Sequence, residues 1–312
     1  MTSIVSRLGN FFSEREVPPV VCQFSRAYFS GIYFSRKDRR FGSHFVLPLP
    51  PGAIEPSFDK KNILNGTAVE EKIREGIRRL RTGDHLMALL IPEFCLKVFV
   101  FSFDHLPASI KERDALMRWR LSKALPVTPP DMRLAYDIIP SDGQMKVFLA
   151  AARSSVIQEY EGLLARCGMQ VRAVGIPALH LVNLLKKSGD KNALIVNVEP
   201  DSVSLTAVLD SAISLYRFKP FLTDPLHPMA AAQKFETIIN EVENTAHFIE
   251  DREKKKVEAV WVRSAVPKTE GDLLDFLKGR TSLPWRPVDP GGPPMADAGD
   301  QQVLATLIGL VS

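Results

Sequence analysis

Residues 193–218 read ALIVNVEPDSVSLTAVLDSAISLYRF. Three apolar and β-branched runs stand in this stretch, Ala193–Val198, Val203–Leu209 and Ile213–Phe218, and only short polar breaks separate them. That pattern predicts three consecutive strands joined by tight turns. The same unit is written near the start, where Pro18-Pro19 opens onto Val20–Phe24, Phe29–Phe34 and Phe41–Leu49. Each trio is followed by a helical pattern. After the first come Val69, Ile73, Ile77 and Leu80, and after the second Phe235, Ile238, Val242, Ala246 and Ile249. A strand at Leu86–Ile91 follows the first helix, and one at Val257–Val262 follows the second.

Between the two units lies a compact module. Leu96–Phe103 reads as a strand, and Ser109-Ile110-Lys111-Glu112 as a capping box opening a helix with Ile110, Met117, Leu121 and Ala124 inward. Leu134–Ile139 and Met145–Ala152 read as two strands joined at Ser141-Asp142-Gly143. A second capping box, Ser155–Gln158, starts a helix with Val156, Tyr160, Leu163 and Cys167 inward and Gly168 as its stop, and Val171–Val174 closes the set. The order β-α-β-β-α-β is that of a small split βαβ domain. Pro177 then starts a helix with Leu181, Val182 and Leu185. Near the end, a helix with Leu273, Leu274 and Leu277 precedes a Pro/Gly-rich loop, Pro284–Gly299, and Val303–Val311 closes as a helix.

Composition bounds the rest. The chain has 312 residues, 45% hydrophobic and 24% charged, which fits two globular lobes and excludes disordered, collagen-like and disulfide-framework chains. Cys22, Cys95 and Cys167 are three in number and never form a CxxC pair, so a reducing compartment is expected. The segment Ile4–Phe12 is interrupted by Arg7, Gly9 and Asn10, unlike a signal peptide, and His85–Phe103 is broken as a membrane span by Pro92, Glu93 and Lys97. A cytosolic protein is expected. The net charge of +4 demands no nucleic acid, and neither Lys72–Arg81 nor Arg36–Arg40 carries an interleaved aromatic platform.

Catalytic signatures are missing. The sequence holds no GxxxxGK[ST], GxGxxG, HExxH or GxSxG. His180 reads as a satisfied histidine beside an apolar stripe, and Asp131, Asp137 and Asp142 read as solvated turn residues. No carboxylate pair is spaced for acid–base work, and no metal site is expected.

The order of elements resembles the bacterial actin-like proteins of the PilM kind, from type IV pilus assembly machines, and is similar to the secretion-system proteins of the GspL kind. The resemblance is carried by Leu49–Ile54, Arg118–Pro126, Val147–Arg153, Tyr160–Gly168 and Tyr216-Arg217. It implies an α/β, two-lobed actin/hexokinase-like (ribonuclease H-like) fold with an inserted βαββαβ subdomain. The expected divisions are 20–92 for the first lobe, 93–175 for the subdomain, 176–190 for a helix closing the first lobe, and 191–312 for the second lobe.

In that fold two hairpin loops and a glycine pair hold ATP, because glycine lets backbone N–H groups approach phosphate and an aspartate helps hold magnesium. Here all three elements depart from the family's pattern. The first loop gives Gln23, Ser25 and Ser30 at positions expected for its aspartate, glycine and lysine region. The second gives Asn197 and Glu199, with Pro200 removing an N–H donor. The glycine pair is replaced by Ser264-Ala265. No ATP or magnesium is therefore expected.

The expected role is a non-catalytic cytoplasmic scaffold, peripheral to the inner membrane through a partner. It would link a bitopic inner-membrane protein (PilN-like) to the cytoplasmic motor of a pilus or secretion machine, with the assembly ATPase as a further partner. Family members hold the partner's N-terminal peptide between the first lobe and its inserted module. Trp119, opposite the core stripe of its helix, with Leu116, Arg118 and Arg120 beside it, is the candidate partner contact. Two alternatives stand beside this one. In the first, a divergent ATPase uses Asp201, Arg26 and Arg263 as substitute ligands. In the second, the basic stretches bind nucleic acid.

Overall fold

Two five-stranded sheets with one shared strand order make up most of the molecule. In the computed structural model, residues 17–312 are described apart from 36, 39, 126–130, 142–143, 187, 211, 222–228, 267–272 and 292–297. In chain order come β1 (Val20–Phe24), β2 (Tyr28–Ser35), β3 (Arg40–Pro48), α1 (Gly66–Leu80) and β4 (Leu86–Leu90). A 3-10 turn, Glu93–Cys95, leads into β5 (Leu96–Phe103), α2 (Ile110–Ala124), β6 (Met132–Ser141), β7 (Gln144–Arg153), α3 (Ser154–Arg166) and β8 (Gln170–Gly175). The chain continues through α4 (Pro177–Leu184), β9 (Asn192–Glu199), β10 (Ser202–Leu209), β11 (Ala212–Pro220) and α5 (Ala231–Glu253). It ends with β12 (Ala259–Ser264), α6 (Leu273–Arg280), β13 (Trp285–Pro287) and α7 (Ala298–Val311).

The first sheet has the order β3-β2-β1-β4-β8 and the second β11-β10-β9-β12-β13. In each, an antiparallel trio is extended by two parallel strands. All five residues of β1 are buried, as expected of a central strand covered on both faces. Val20, Cys22 and Phe24 point to the layer made by α1 and α3, whereas Val21 points to α7. The second sheet turns Leu194, Val196 and Val198 toward α5 and α6, and Ile195 toward α4. The helical stripe read from Val69, Ile73 and Leu80 is buried, with Ile77 partly so. Asn65 caps that helix, its Oδ1 accepting from Ala68 N at 3.2 Å.

Three parts of the expected organisation change. β8 pairs with β4 and completes the first sheet, leaving the inserted sheet with only β5-β7-β6. α3 goes with it, because Val156, Ile157, Tyr160, Leu163 and Leu164 pack into the cluster that holds β1 and β4 side chains. The sequence order βαββαβ is present, but hydrogen bonding hands its last two elements to the first lobe. Residues 176–190 were expected to close the first lobe, yet Leu181 and Val182 of α4 pack against Ile195 and Ile213 of the second sheet. Conversely α7, expected in the second lobe, lays Leu304, Leu307, Ile308 and Leu310 on Val21, Ile32, Ala88 and Leu90 of the first. The two helices cross closely. A Cβ on Gly309 would sit 2.2 Å from the His180 carbonyl oxygen, so only glycine fits there.

Smaller differences have local causes. Neither capping box forms: the Ser109 side chain makes no cap bond, and α3 starts at Ser154. Asp131 serves α3 instead, its carbonyl accepting from Ser154 N at 2.8 Å and its carboxylate from Ser155 N at 3.4 Å. On α2 only Met117 and Leu121 of the expected stripe are buried, while Ile110 is exposed and Ala124 lies at the open end. Trp285–Pro287, read as loop, adds parallel to β12. The expected N-terminal segment Ile4–Phe12, the Asp142-Gly143 turn, Pro126 and parts of 36–40 and 284–299 lie outside the described residues.

Candidate functional site

The two hairpin turns of the twin sheets face each other across the gap between the lobes. In the β1–β2 turn, Ser25 N donates to Tyr28 O at 2.9 Å and Ala27 N to Ser25 Oγ at 3.2 Å. This presents Arg26 outward. In the β9–β10 turn the presented residue is Asp201, 3.1 Å from Arg26 Nε. Arg26 also reaches Glu55 at 3.1 Å and lies over the Phe94 ring at 5.6 Å. Burial holds the Asp201 carboxyl up at about 6, against the opposing pull of Arg26.

Behind these turns the gap is filled by a buried polar network. Strand parity turns Val260 and Val262 into the second lobe's core, and Arg263 toward the gap, where it is fully buried. Each of its five N–H groups meets an acceptor. Nε donates to Gln302 O at 2.8 Å, and Nη2 to Val303 O at 2.8 Å and to Tyr28 Oη at 3.3 Å. Nη1 donates to Asn197 Oδ1 at 2.9 Å and to the Glu199 carboxylate. Tyr28, on the first lobe, donates to Glu199 Oε1 at 2.9 Å and Oε2 at 2.8 Å. Gln23 Nε2 donates to Tyr28 Oη at 3.0 Å, while Gln23 Oε1 accepts from Thr306 of α7.

The electrostatics follow from burial. The Tyr28 phenol is pushed far above its ordinary range by burial and then by the Glu199 charge. Burial works against the charge of Arg263, but Glu199 and Tyr28 outweigh it and keep the guanidinium cationic. The Glu199 carboxylate is met by a cation and a phenol. A cavity between the turns, lined by Gln23, Arg26, Pro92, Glu93, Glu199 and Asp201 among others, measures about 20 Å³, room for one water.

Of the sequence-predicted positions, Gln23, Asn197 and Glu199 come together in this network. Ser25 shapes the first turn. Ser30 sits on β2 opposite Gln23, buried, with no hydrogen-bond partner for its hydroxyl among the described residues. Ser264 ends β12, and Ala265 just after it donates its N–H to Val198 O at 2.8 Å. Sequence reading named Arg263 only as a possible substitute ligand and passed over Tyr28, Glu93 and Thr306. An arginine inside the apolar strand AVWVRS was the available signal, since a buried guanidinium requires acceptors. Among the described residues no group of three or more His, Cys, Asp or Glu is placed to hold a metal.

A second concavity of about 260 Å³ opens between the inserted sheet and the first lobe. Its floor includes Ala150 and Ala152 of β7, Val171 and Val174 of β8, and Leu179 of α4. At its rim, Arg133 makes a two-pronged ion pair with Glu161 at 2.7 and 2.9 Å. His180 lines it too, its imidazole held down at about 3 by burial and hence neutral. Because β7 alternates, Val147, Leu149 and Ala151 face α2 while Phe148, Ala150 and Ala152 face away from it. The candidate contacts on α2 are therefore on the other side of the inserted sheet. Trp119 is 53% exposed, with the Arg120 guanidinium 5.7 Å from its ring. Leu116 packs toward the α2 core, and Arg118 Nη1 donates to Met132 O at 3.2 Å. None of the four lines the groove.

No helix among the described residues is long and apolar enough to cross a membrane. No protein-family model matches the sequence, and no curated protein matches it. Solved structures do match. The chain is similar over 95% of its length to 98% of a chain in the "PilM-PilN type IV pilus biogenesis complex", with a TM-score of 0.77 and 15% identity. It is similar over 94% to 94% of the cytoplasmic domain of EpsL, an inner-membrane component of the Vibrio cholerae type II secretion system, with a TM-score of 0.54 and 11% identity. A Bacteroides thetaiotaomicron protein described as having an actin-like ATPase fold and unknown function matches at a TM-score of 0.56 and 10% identity, over 94% of this chain and 97% of that one. The twin sheets, the hairpin turns facing across the gap and the inserted three-stranded sheet are thus those of an actin-like fold, of the PilM-like form.

Proposed function

We propose that the chain is a non-catalytic scaffold in a pilus or secretion assembly machine, acting at the cytoplasmic face of the inner membrane. Its groove between the inserted sheet and the first lobe would hold the N-terminal cytoplasmic segment of a bitopic, PilN-like membrane protein. The observation that carries this reading is the contrast between the two concavities. Among the described residues, Arg263, Glu199, Tyr28 and Gln23 occupy the gap behind the hairpin turns, where a cavity of about 20 Å³ opens, whereas the groove offers about 260 Å³ with a largely apolar floor. The likeness to a chain from a PilM–PilN complex supports the choice of partner. The residues between the turns do not fit a nucleotide. Pro200 supplies no N–H, Arg263 spends all its donors internally, and neither turn carries a glycine for close phosphate approach.

Two titrations test this. A synthetic peptide with the N-terminal cytoplasmic residues of the bitopic protein encoded beside this chain should bind saturably, and Mg-ATP should give no heat at micromolar concentration. Saturable ATP binding would transfer the chain to the ATPase reading, and a peptide that fails to bind would remove the partner.

A further inference from the structure

The filled gap and the groove are connected by an unbroken set of contacts that meets at Glu93. This residue opens the 3-10 turn leading into the inserted sheet and is buried. Its Oε1 accepts from Ala178 N, at the start of α4, at 3.2 Å, and from Asn197 Nδ2 at 3.4 Å. Asn197 in turn receives Arg263 Nη1 on its Oδ1 at 2.9 Å. From Ala178 the helix runs directly into Leu179, His180, Val182 and Asn183, all lining the groove. A second branch passes through Tyr216, whose hydroxyl helps hold down the pKa of the Glu93 carboxyl and whose ring stands edge-on to Phe148 at 6.3 Å. Phe148 also lines the groove.

We infer that Arg263 replaces, with the chain's own charge, the ligand that would otherwise bridge the two lobes, and that through Asn197 and Glu93 it sets the position of α4 and hence the shape of the groove. Three observations support this. The arginine's donors are divided among the second lobe, the first lobe and α7, so one guanidinium ties all three together. The inserted sheet is held to the second lobe at Lys146–Glu253 (3.3 Å), and the turn leading into it at Phe94–Phe218 (4.9 Å), so the relative position of the lobes is felt at the groove's β7 wall. The acceptor that anchors the start of α4 is the same oxygen that receives Asn197. A shift of β9 therefore cannot leave α4 where it is without losing a buried hydrogen bond. Partner binding would thus need no nucleotide to prepare the groove. The partner's identity rests on the function proposed above; the coupling does not.

Amide hydrogen exchange on the full chain tests the coupling without any partner. Arg263→Met removes the charge, and Asn197→Ala cuts the link to Glu93 while keeping the Arg263–Glu199 pair. Both should raise exchange at Leu179–Asn183 and in β8 by about tenfold, with α5 and α6 keeping wild-type protection. Faster exchange confined to β1, β2, β9 and β12, or spread evenly over the molecule, would overturn the coupling. Titration with the synthetic N-terminal peptide of the neighbouring bitopic protein adds a separate arm. Wild-type binding weakened about tenfold by Asn197→Ala supports the coupling, and unchanged affinity in that variant argues against it. If the wild type itself does not bind, the partner assignment falls and the exchange arm still decides the coupling.

Discussion

Tyr28 Oη lies 2.8 Å from Glu199 Oε2 and donates to it from one lobe to the other. This single hydroxyl also accepts from Gln23 of the first lobe and from Arg263 of the second, so hydrogen bonds from both lobes converge on it. Tyr28→Phe keeps the ring and leaves three groups short of a partner in a buried setting. We expect a loss of about 1–3 kcal/mol, read as a fall in melting temperature of several degrees. A melting point within a degree of wild type would mean the phenol contributes nothing net to interlobe closure.

Arg263→Met should cost more. Removing one member of a buried ion pair leaves Glu199 charged and unmatched, at about 3–5 kcal/mol. The double variant Arg263→Met/Glu199→Gln removes the orphaned charge and should recover part of that loss. Chemical denaturation of the two singles and the double gives the coupling. A double variant as unstable as the sum of its parts would show the pair to be uncoupled.

The twin sheets were legible because alternation and turn residues are local: Val20–Phe24 and Ala193–Val198 announce buried strands without any knowledge of their neighbours. Partner strands were less so. Nothing in Val171–Val174 says whether it pairs with β6 or with β4, since both choices bury the same side chains on a strand edge. The exchange of α4 and α7 between lobes escaped for the same reason: an apolar helix records that it is buried, and only Gly309 records how closely another helix passes. The degenerate loop positions were visible as substitutions, but their consequence was not. Glu199 read alone is a stray charge, and only β12, 64 residues later, supplies the arginine that answers it. Trp119 was read as exposed and is exposed; which face of the inserted sheet forms the groove is a property of β8's pairing and could not be read from α2.

Stability should depend on pH through Glu93. Burial raises its carboxyl to about 7, offset in part by hydrogen bonds from Ser204 and Tyr216. A carboxyl raised on folding favours the folded state at pH values below its unfolded range, and that contribution is lost as pH rises through about 7. Asp201, raised to about 6 mainly by burial, acts in the same direction. The buried, neutral His180 works the other way between pH 5 and about 6.5, so melting temperature should fall most clearly as pH rises through about 7, and Glu93→Gln should remove that fall. An equally steep profile in the variant would assign the dependence elsewhere.

The crossing of α4 and α7 should not tolerate a methyl group. In Gly309→Ala the new carbon would meet the His180 carbonyl oxygen, a backbone atom that cannot rotate away. Overpacking of this kind costs about 1–3 kcal/mol. Because Asn183 Nδ2 donates to Gly309 O at 2.8 Å, the same shift would disturb that bond as well. Gly279→Ala serves as a control, since nothing lies within 4 Å of its added carbon. Similar melting temperatures for the two variants would show that the helices separate easily.

Two further substitutions separate the groove from the far face of the inserted sheet. Ala150 lies on β7 with its side chain on the groove side, 6% exposed, while Val147 and Leu149 on the same strand face α2. Ala150→Leu adds three carbons to the groove wall and leaves the α2 side untouched. It should weaken binding of the bitopic protein's N-terminal peptide by at least about tenfold, by occupying space that the peptide needs. Its melting temperature should stay close to wild type, because the added side chain enters a cavity rather than a packed core. Trp119→Ala is the counterpart. It removes a large aromatic from the exposed face of α2, where no groove residue lies within the same layer, and should leave both peptide affinity and melting temperature unchanged. Fluorescence anisotropy with the labelled peptide, with melting curves on the same samples, reads both variants. Strong loss of affinity in Trp119→Ala beside normal binding in Ala150→Leu would move the partner to α2 and away from the groove.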